Sequence, residues 1–172
     1  MARRLCSINK AKPLSVIKVA FSGTGFVSND WNPGNPCYTS LVTEVKIAMA
    51  LAERDNVKLN LRAIVWVQGE SDAASDSSAA AYEKNLSNML TSLRKELNAP
   101  RMTALLGVNG KFGGGSPALS TVIAGQKAIA KNPEMLAIFV DTDGAELANG
   151  AHFSAKGTLE VGRRFADALL AH

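Results

Sequence analysis

The sequence predicts an α/β fold, a parallel sheet with helices on both faces. Two observations carry that expectation. Four short apolar runs alternate along the chain with four stretches of helical period. Loop-forming residues cluster directly after the runs. Parallel strands need crossover connections, usually helical, so this alternation is the signature of such a sheet.

The elements follow in order. Val-Ile-Lys-Val-Ala-Phe at 16–21 reads as the first strand. Residues 61–67, 102–108 and 136–140 read as the second, third and fourth, each short and mostly apolar, as strands buried on both faces are. Leu41, Val45, Ala48 and Ala52 line one face of a helix over about 39–53. Tyr82, Leu86, Met89, Leu93 and Leu97 mark the clearest helix, which ends before Pro100. Ser116 followed by Pro117 supplies an N-cap and a first-turn proline, opening a helix through about Lys131. Ser154 caps a last helix carrying Leu159, Phe165, Ala166, Leu169 and Leu170. Residues 29–36, 72–78 and 110–117 are rich in Gly, Pro, Asn and Ser and read as loops.

Composition bounds the rest. The chain has 172 residues, 47% of them apolar and 20% charged, which suits one globular domain. A chain of this length buries roughly 70% of its unfolded surface and needs no metal or disulfide to fold. Mean hydropathy is +0.03, and no apolar run approaches the ~18–20 residues of a membrane helix. The 19 basic and 15 acidic residues leave +4, without the Lys/Arg cluster a nucleic-acid footprint needs. Cys6 and Cys37 have neither CxxC spacing nor histidine neighbours, so no zinc site is expected. The first ten residues have the charges of a signal peptide but no apolar segment after them. As written the chain reads as cytoplasmic, or as extracytoplasmic if further sequence precedes it.

Polar clusters follow all four expected strands. They are Ser22-Gly23-Thr24-Gly25, Gln68-Gly69-Glu70-Ser71-Asp72, Asn109-Gly110-Lys111 and Asp141-Thr142-Asp143-Gly144, with His152 just before the last helix. Parallel strands would place all of them at the C-terminal sheet edge, where open α/β sheets bind ligands. His152 is the one internal histidine and a candidate general base. Gln68, with nearby N–H groups, is a candidate oxyanion donor. Ser71 lacks the second glycine of a G-x-S-x-G elbow. Gly23-Thr24-Gly25 resembles a dinucleotide fingerprint, but Pro33 and Pro36 stand where its helix would run. Asp141-Thr142-Asp143-Gly144 lacks the remaining ligands of a calcium loop. Neither cofactor nor metal is expected.

Three blocks resemble a known family. Trp66-Val67-Gln68-Gly69-Glu70-Ser71-Asp72-Ala73 is similar to the third conserved block of the sialate O-acetylesterase-like carbohydrate esterases, carbohydrate esterase family six in the SGNH-hydrolase superfamily. His152-Phe153-Ser154-Ala155-Lys156-Gly157, then Gly162-Arg163-Arg164-Phe165-Ala166, resembles their last block, and Ser22-Gly23-Thr24 with Trp31 their second. The resemblance implies a flavodoxin-like three-layer sandwich that removes O-acetyl groups from sugars by a Ser-His-Asp mechanism without a cofactor. It implies Gly23 and Gln68 as oxyanion donors, His152 as base, and Trp31 and Glu70 against an acetylated carbohydrate.

Two departures shape the expectation. The family's nucleophile lies in a Gly-Gln-Ser-Asn block on its first strand, and this sequence contains no such run. The orienting aspartate, three residues before the histidine, is Asn149 here. Asparagine can select the wrong imidazole tautomer, a change that costs ~10⁴ in turnover in serine proteases. Asp141, Asp143 or Glu146 are candidate substitutes. The chain is thus expected to be one domain over residues 1–172, incomplete at its N-terminus, with residues 1–15 poorly ordered. It would supply the base and the oxyanion hole but not the usual serine. The alternatives are a glycan-binding relative or decayed fragment, and an esterase using Ser22 as nucleophile. In flavodoxin-like sheets the absent strand is internal, between 16–21 and 61–67. The expectation is a slot there, open to association between chains, rather than closure of 16–21 onto 61–67.

Overall fold

The computed structural model describes residues 1–8 and 14–172. Its elements are α1 (Ala2–Ile8), α2 (Pro36–Arg54), β1 (Ala63–Val67), α3 (Asp76–Glu96), β2 (Thr103–Gly107), α4 (Pro117–Lys131), β3 (Ala137–Phe139) and α5 (Ala155–Leu170). The three strands form one sheet in the order β1-β2-β3. Both pairings are parallel, with Val65 opposite Leu105 and Leu105 opposite Ile138. The α/β class and parallel sheet read from the sequence are what the chain adopts.

Strand alternation sorts the core into two layers. Ile64 and Trp66 of β1, with Ala104 and Leu106 of β2, pack against Tyr38 and Val42 of α2, Tyr82, Leu86 and Met89 of α3, and Val122 and Ile129 of α4. On the other face Leu105, Ile138 and Val140 meet Val161 and Phe165 of α5. Local signals set the helix starts. Pro36 opens α2 three residues before the expected start at about 39, because its fixed φ suits the first turn. A reciprocal Ser75–Ser78 capping box opens α3 inside the stretch read as loop. Ser116 and Ser154 cap α4 and α5 as expected, accepting from Leu119 N–H at 3.0 Å and Gly157 N–H at 3.1 Å.

Two expectations are corrected. Residues 16–21 join no strand ladder, neither across a slot nor closed onto β1. A strand is stabilised by its partner, and these residues have none: Val16 is 68% exposed and Phe21 46%, and the run touches the core only through Ile17 and the Phe21 ring beside Trp31. Their apolar alternation therefore does not produce a strand. Residues 2–8, expected to be poorly ordered, form α1, which lies on α5 with Arg4 Nε 2.9 Å from Asp167 Oδ1. Residues 9–13 of the same expectation lie outside the described residues. One consequence concerns β1. Its outer edge pairs with no strand among the described residues, and Val65 and Val67, on the α5 side, remain 40% and 46% exposed.

Candidate active site

The C-terminal strand ends converge as the parallel sheet requires. Gln68 follows β1 directly, and its backbone N–H donates to the Gly107 carbonyl at the end of β2. Gly69 follows with φ +147°, and a Cβ there would lie 2.6 Å from Val122 Cγ1. Only glycine fits that backbone and that contact. The Gln68 carbonyl accepts from Tyr82 Oη at 2.8 Å and from Gln126 Nε2 at 3.0 Å. Gln126 also donates to Tyr82 Oη and to the Gly107 carbonyl. Burial pushes the Tyr82 hydroxyl well above its ordinary range. The turn is thus locked from beneath by two fully buried polar side chains.

Asp72 sets the other half of the turn. It is 1% exposed. Oδ1 accepts from Val27 N–H at 2.8 Å; Oδ2 accepts from Phe26 N–H at 3.2 Å and from Gln68 Nε2 at 2.6 Å. Gln68 Nε2 also donates to the Thr24 carbonyl at 3.3 Å. One carboxylate therefore binds the Gly23–Val27 loop to the Gln68 side chain. Of the two Gln68 amide hydrogens, the longer bond to Thr24 is the one an oxyanion would displace. Gly23 sits in that loop at φ +70° and is exposed.

Trp31 does not present a platform to solvent. It is 5% exposed, donates from Nε1 to Thr24 Oγ1 at 2.9 Å and meets Trp66 edge-on, ring centres 4.9 Å apart. Its role here is to brace the Gly23–Thr24 loop, a correction to the expectation that it lines the sugar. Ser22, beside Gly23, is exposed.

His152 lies on the loop between β3 and α5. Asn149 Oδ1 accepts from the backbone N–H groups of Ala151 and His152, both at 2.8 Å, and stands 3.2 Å from His152 Nδ1. Two backbone donors fix the carbonyl end of this amide toward the ring. With that oxygen toward the ring, the pair favours Nδ1 as the donor, the tautomer in which Nε2 keeps its lone pair. What asparagine withholds is the negative charge opposite a protonated ring.

The substitute acids are engaged elsewhere. Asp143 pairs with Lys111 at 3.2 Å, and that hydrogen bond, with the Gly144 N–H, holds its carboxyl below the usual range. Asp141 Oδ1 accepts from the Asp143 N–H, and Glu146 accepts from Ser154 Oγ. Glu70, expected at the sugar, accepts from the Asn109 N–H through Oε1 at 3.1 Å.

Residue reasoning missed the roles of Asp72, Asn109, Tyr82 and Gln126. Asp72 and Asn109 stood in the polar strand-end clusters and Tyr82 on the apolar stripe of α3, and Gln126 left its own signal as a polar residue on the buried stripe of α4 with Leu119, Val122 and Ile129. No cluster of three metal-ligating side chains occurs among the described residues.

A parallel α/β sheet that gathers a glutamine turn and a histidine loop at one strand edge defines the class of the fold. The comparisons give that class its family. The model of the carbohydrate esterases described as sialic acid-specific acetylesterases matches residues 1–171, and the chain belongs to that family. A probable carbohydrate esterase of Arabidopsis thaliana is 24% identical over 160 residues, covering 92% of this chain and 56% of its own length. A crystal structure of an Arabidopsis thaliana protein superposes with a TM-score of 0.70 at 24% identity, covering 84% of this chain and 56% of the other, which supports the shared fold. The chain thus spans little more than half the length of these relatives.

Proposed function

We propose that these residues form the base and oxyanion half of a carbohydrate acetylesterase. The observation that carries this reading is the Asn149–His152 pair, whose geometry suits a donating Nδ1 and an accepting Nε2, tied to the sheet edge of Gln68 through Asn109. A serine Oγ attacks the acetyl carbonyl of an O-acetylated sugar, and His152 Nε2 takes its proton. The Gly23 N–H and Gln68 Nε2 stabilise the oxyanion. His152 then protonates the leaving sugar hydroxyl, and water releases acetate by the reverse sequence.

The nucleophile in this reading comes from a Gly-Gln-Ser-Asn segment outside the 172 residues. The test measures hydrolysis of p-nitrophenyl acetate and of acetylated xylan, with and without a synthetic segment bearing that run. Turnover that needs the segment and disappears in His152→Ala is the expected result. Turnover by the chain alone, lost in Ser22→Ala, would instead make Ser22 the nucleophile. Binding of acetylated glycan without turnover in either arrangement would overturn the esterase reading in favour of a binding module.

A further inference from the structure

We propose that Asn109 is a positioning residue that holds the His152 loop against the Gln68 turn, with Glu70 as its second anchor. The inference rests on the esterase reading of His152 and adds to it a residue that the resemblance to the family did not single out.

Asn109 is 3% exposed at the end of β2, an unusual place for an amide unless every polar group is used. Its backbone N–H donates to Glu70 Oε1 at 3.1 Å, in the turn after β1. Its Nδ2 donates to the carbonyl of Ala151 at 3.0 Å, the peptide directly before His152. Its Oδ1 accepts from the Lys111 N–H at 3.1 Å, which fixes the amide so that Nδ2 faces Ala151. One residue therefore joins the loops that follow all three strands, its side chain reaching those after β2 and β3 and its backbone N–H that after β1. Beside it, Thr142 Oγ1 donates to the Val108 carbonyl at 2.6 Å, tying the loop after β3 to the same strand end.

The bond to Ala151 holds a specific point. Around it the Gly113 N–H donates to the Gly150 carbonyl at 2.9 Å, the Ala148 N–H to the His152 carbonyl at 2.9 Å and the Ser154 N–H to the Glu146 carbonyl at 2.9 Å. None fixes the Ala151 carbonyl. Without Asn109 the Ala151–His152 peptide loses the partner of its carbonyl and is held only through the His152 N–H, so that donor to Asn149 Oδ1 is the one whose direction loosens; the Ala151 N–H lies on the preceding peptide, whose carbonyl Gly113 holds. Asn109 thus acts on the imidazole through Asn149. Glu70, expected at the sugar, acts here as an anchor.

Imidazole nitrogen NMR tests the proposal directly, because the chain has only two histidines and the other, His172, is terminal. In the unaltered chain His152 is expected to show Nδ1 protonated and Nε2 bare when neutral. In Asn109→Ala the two tautomers are expected to mix and ring motion to increase. In the segment-complemented enzyme kcat is expected to fall by about one to two orders of magnitude, as removal of one positioning contact typically does, with KM nearly unchanged. Glu70→Ala provides a second route that leaves the Asn109 side chain in place, and should produce a smaller shift of the same kind. A KM rise with unchanged ring signals in Glu70→Ala would instead place Glu70 on the substrate. Unchanged His152 signals in a folded Asn109→Ala, or in Glu70→Ala should Asn109→Ala not fold, overturn the proposal. Ring signals that shift while the unaltered chain shows no turnover with the segment would refute the esterase reading and leave the positioning role standing.

Discussion

Replacing Asp72 by alanine tests whether one buried carboxylate holds the two sides of the site together. The substitution removes the acceptor of Phe26 N–H, Val27 N–H and Gln68 Nε2. Phe26 is buried at 4% exposure, whereas Val27 is 52% exposed and its N–H can turn to water. Two donors therefore lose their partner in a largely dry setting. Each unsatisfied buried group costs about 1–3 kcal/mol, so the loss should be about 2–6 kcal/mol. Domains of this kind are stable by about 5–15 kcal/mol, so Asp72→Ala should be markedly destabilised, near unfolding at the upper end. Asp72→Asn keeps one oxygen but turns an N–H₂ toward donors, and should fall between. Urea titration followed by circular dichroism gives the global transition. Trp31 fluorescence reports the Gly23–Thr24 loop, through its bond to Thr24 Oγ1. A shift of less than about 0.5 kcal/mol in Asp72→Ala, within the range of ordinary surface substitutions, would refute the assignment of Asp72 as the tie between the loops.

Three further outcomes are expected. Asn149→Asp keeps the acceptor geometry and adds charge opposite a protonated His152. Hydrogen bonds to charged groups exceed neutral ones by about 1 kcal/mol, so turnover in the complemented enzyme should rise about fivefold, and a clear loss would give Asn149 a different role. Acid should erode the α5 surface: bonds from Arg163 and Arg164 hold the Glu160 carboxyl down from 4.5 to about 2. A carboxyl depressed in the folded state stabilises above its unfolded value and loses that contribution as pH falls through 4.5 toward 2, so Glu160→Gln should flatten the melting-temperature profile across that window. The β1 edge, unpaired among the described residues, should support association between chains, seen as concentration-dependent mass by sedimentation. Val65→Lys with Val67→Lys should reduce it at little cost to stability, and a wild-type chain that stays monomeric at every concentration would count against this use of the edge.

Helices α2 to α5 and the Ser116 and Ser154 caps were legible in the sequence, because each depends on residues a few positions apart; α1 and the Ser75 cap were not. Leu86, Met89 and Leu93 recur at the helical period, and Ser116 and Ser154 reach N–H groups three residues on, so nothing distant is needed to read them. The polar strand ends were legible for a related reason, since parallel topology alone sends them to one edge. The tertiary structure decided the rest. Residues 16–21 have the composition of a strand, but a strand exists only where another chain segment offers its edge, and that segment is remote in sequence. The roles of Asp72 and Asn109 depend on which N–H groups and carbonyls the fold carries to within 3 Å or so, here from 45 and 42 positions away. Asn149 shows the division within one residue. Its spacing from His152 could be read from the chain, but which end of its amide faces the ring was settled only by the two backbone donors that the folded loop presents to it.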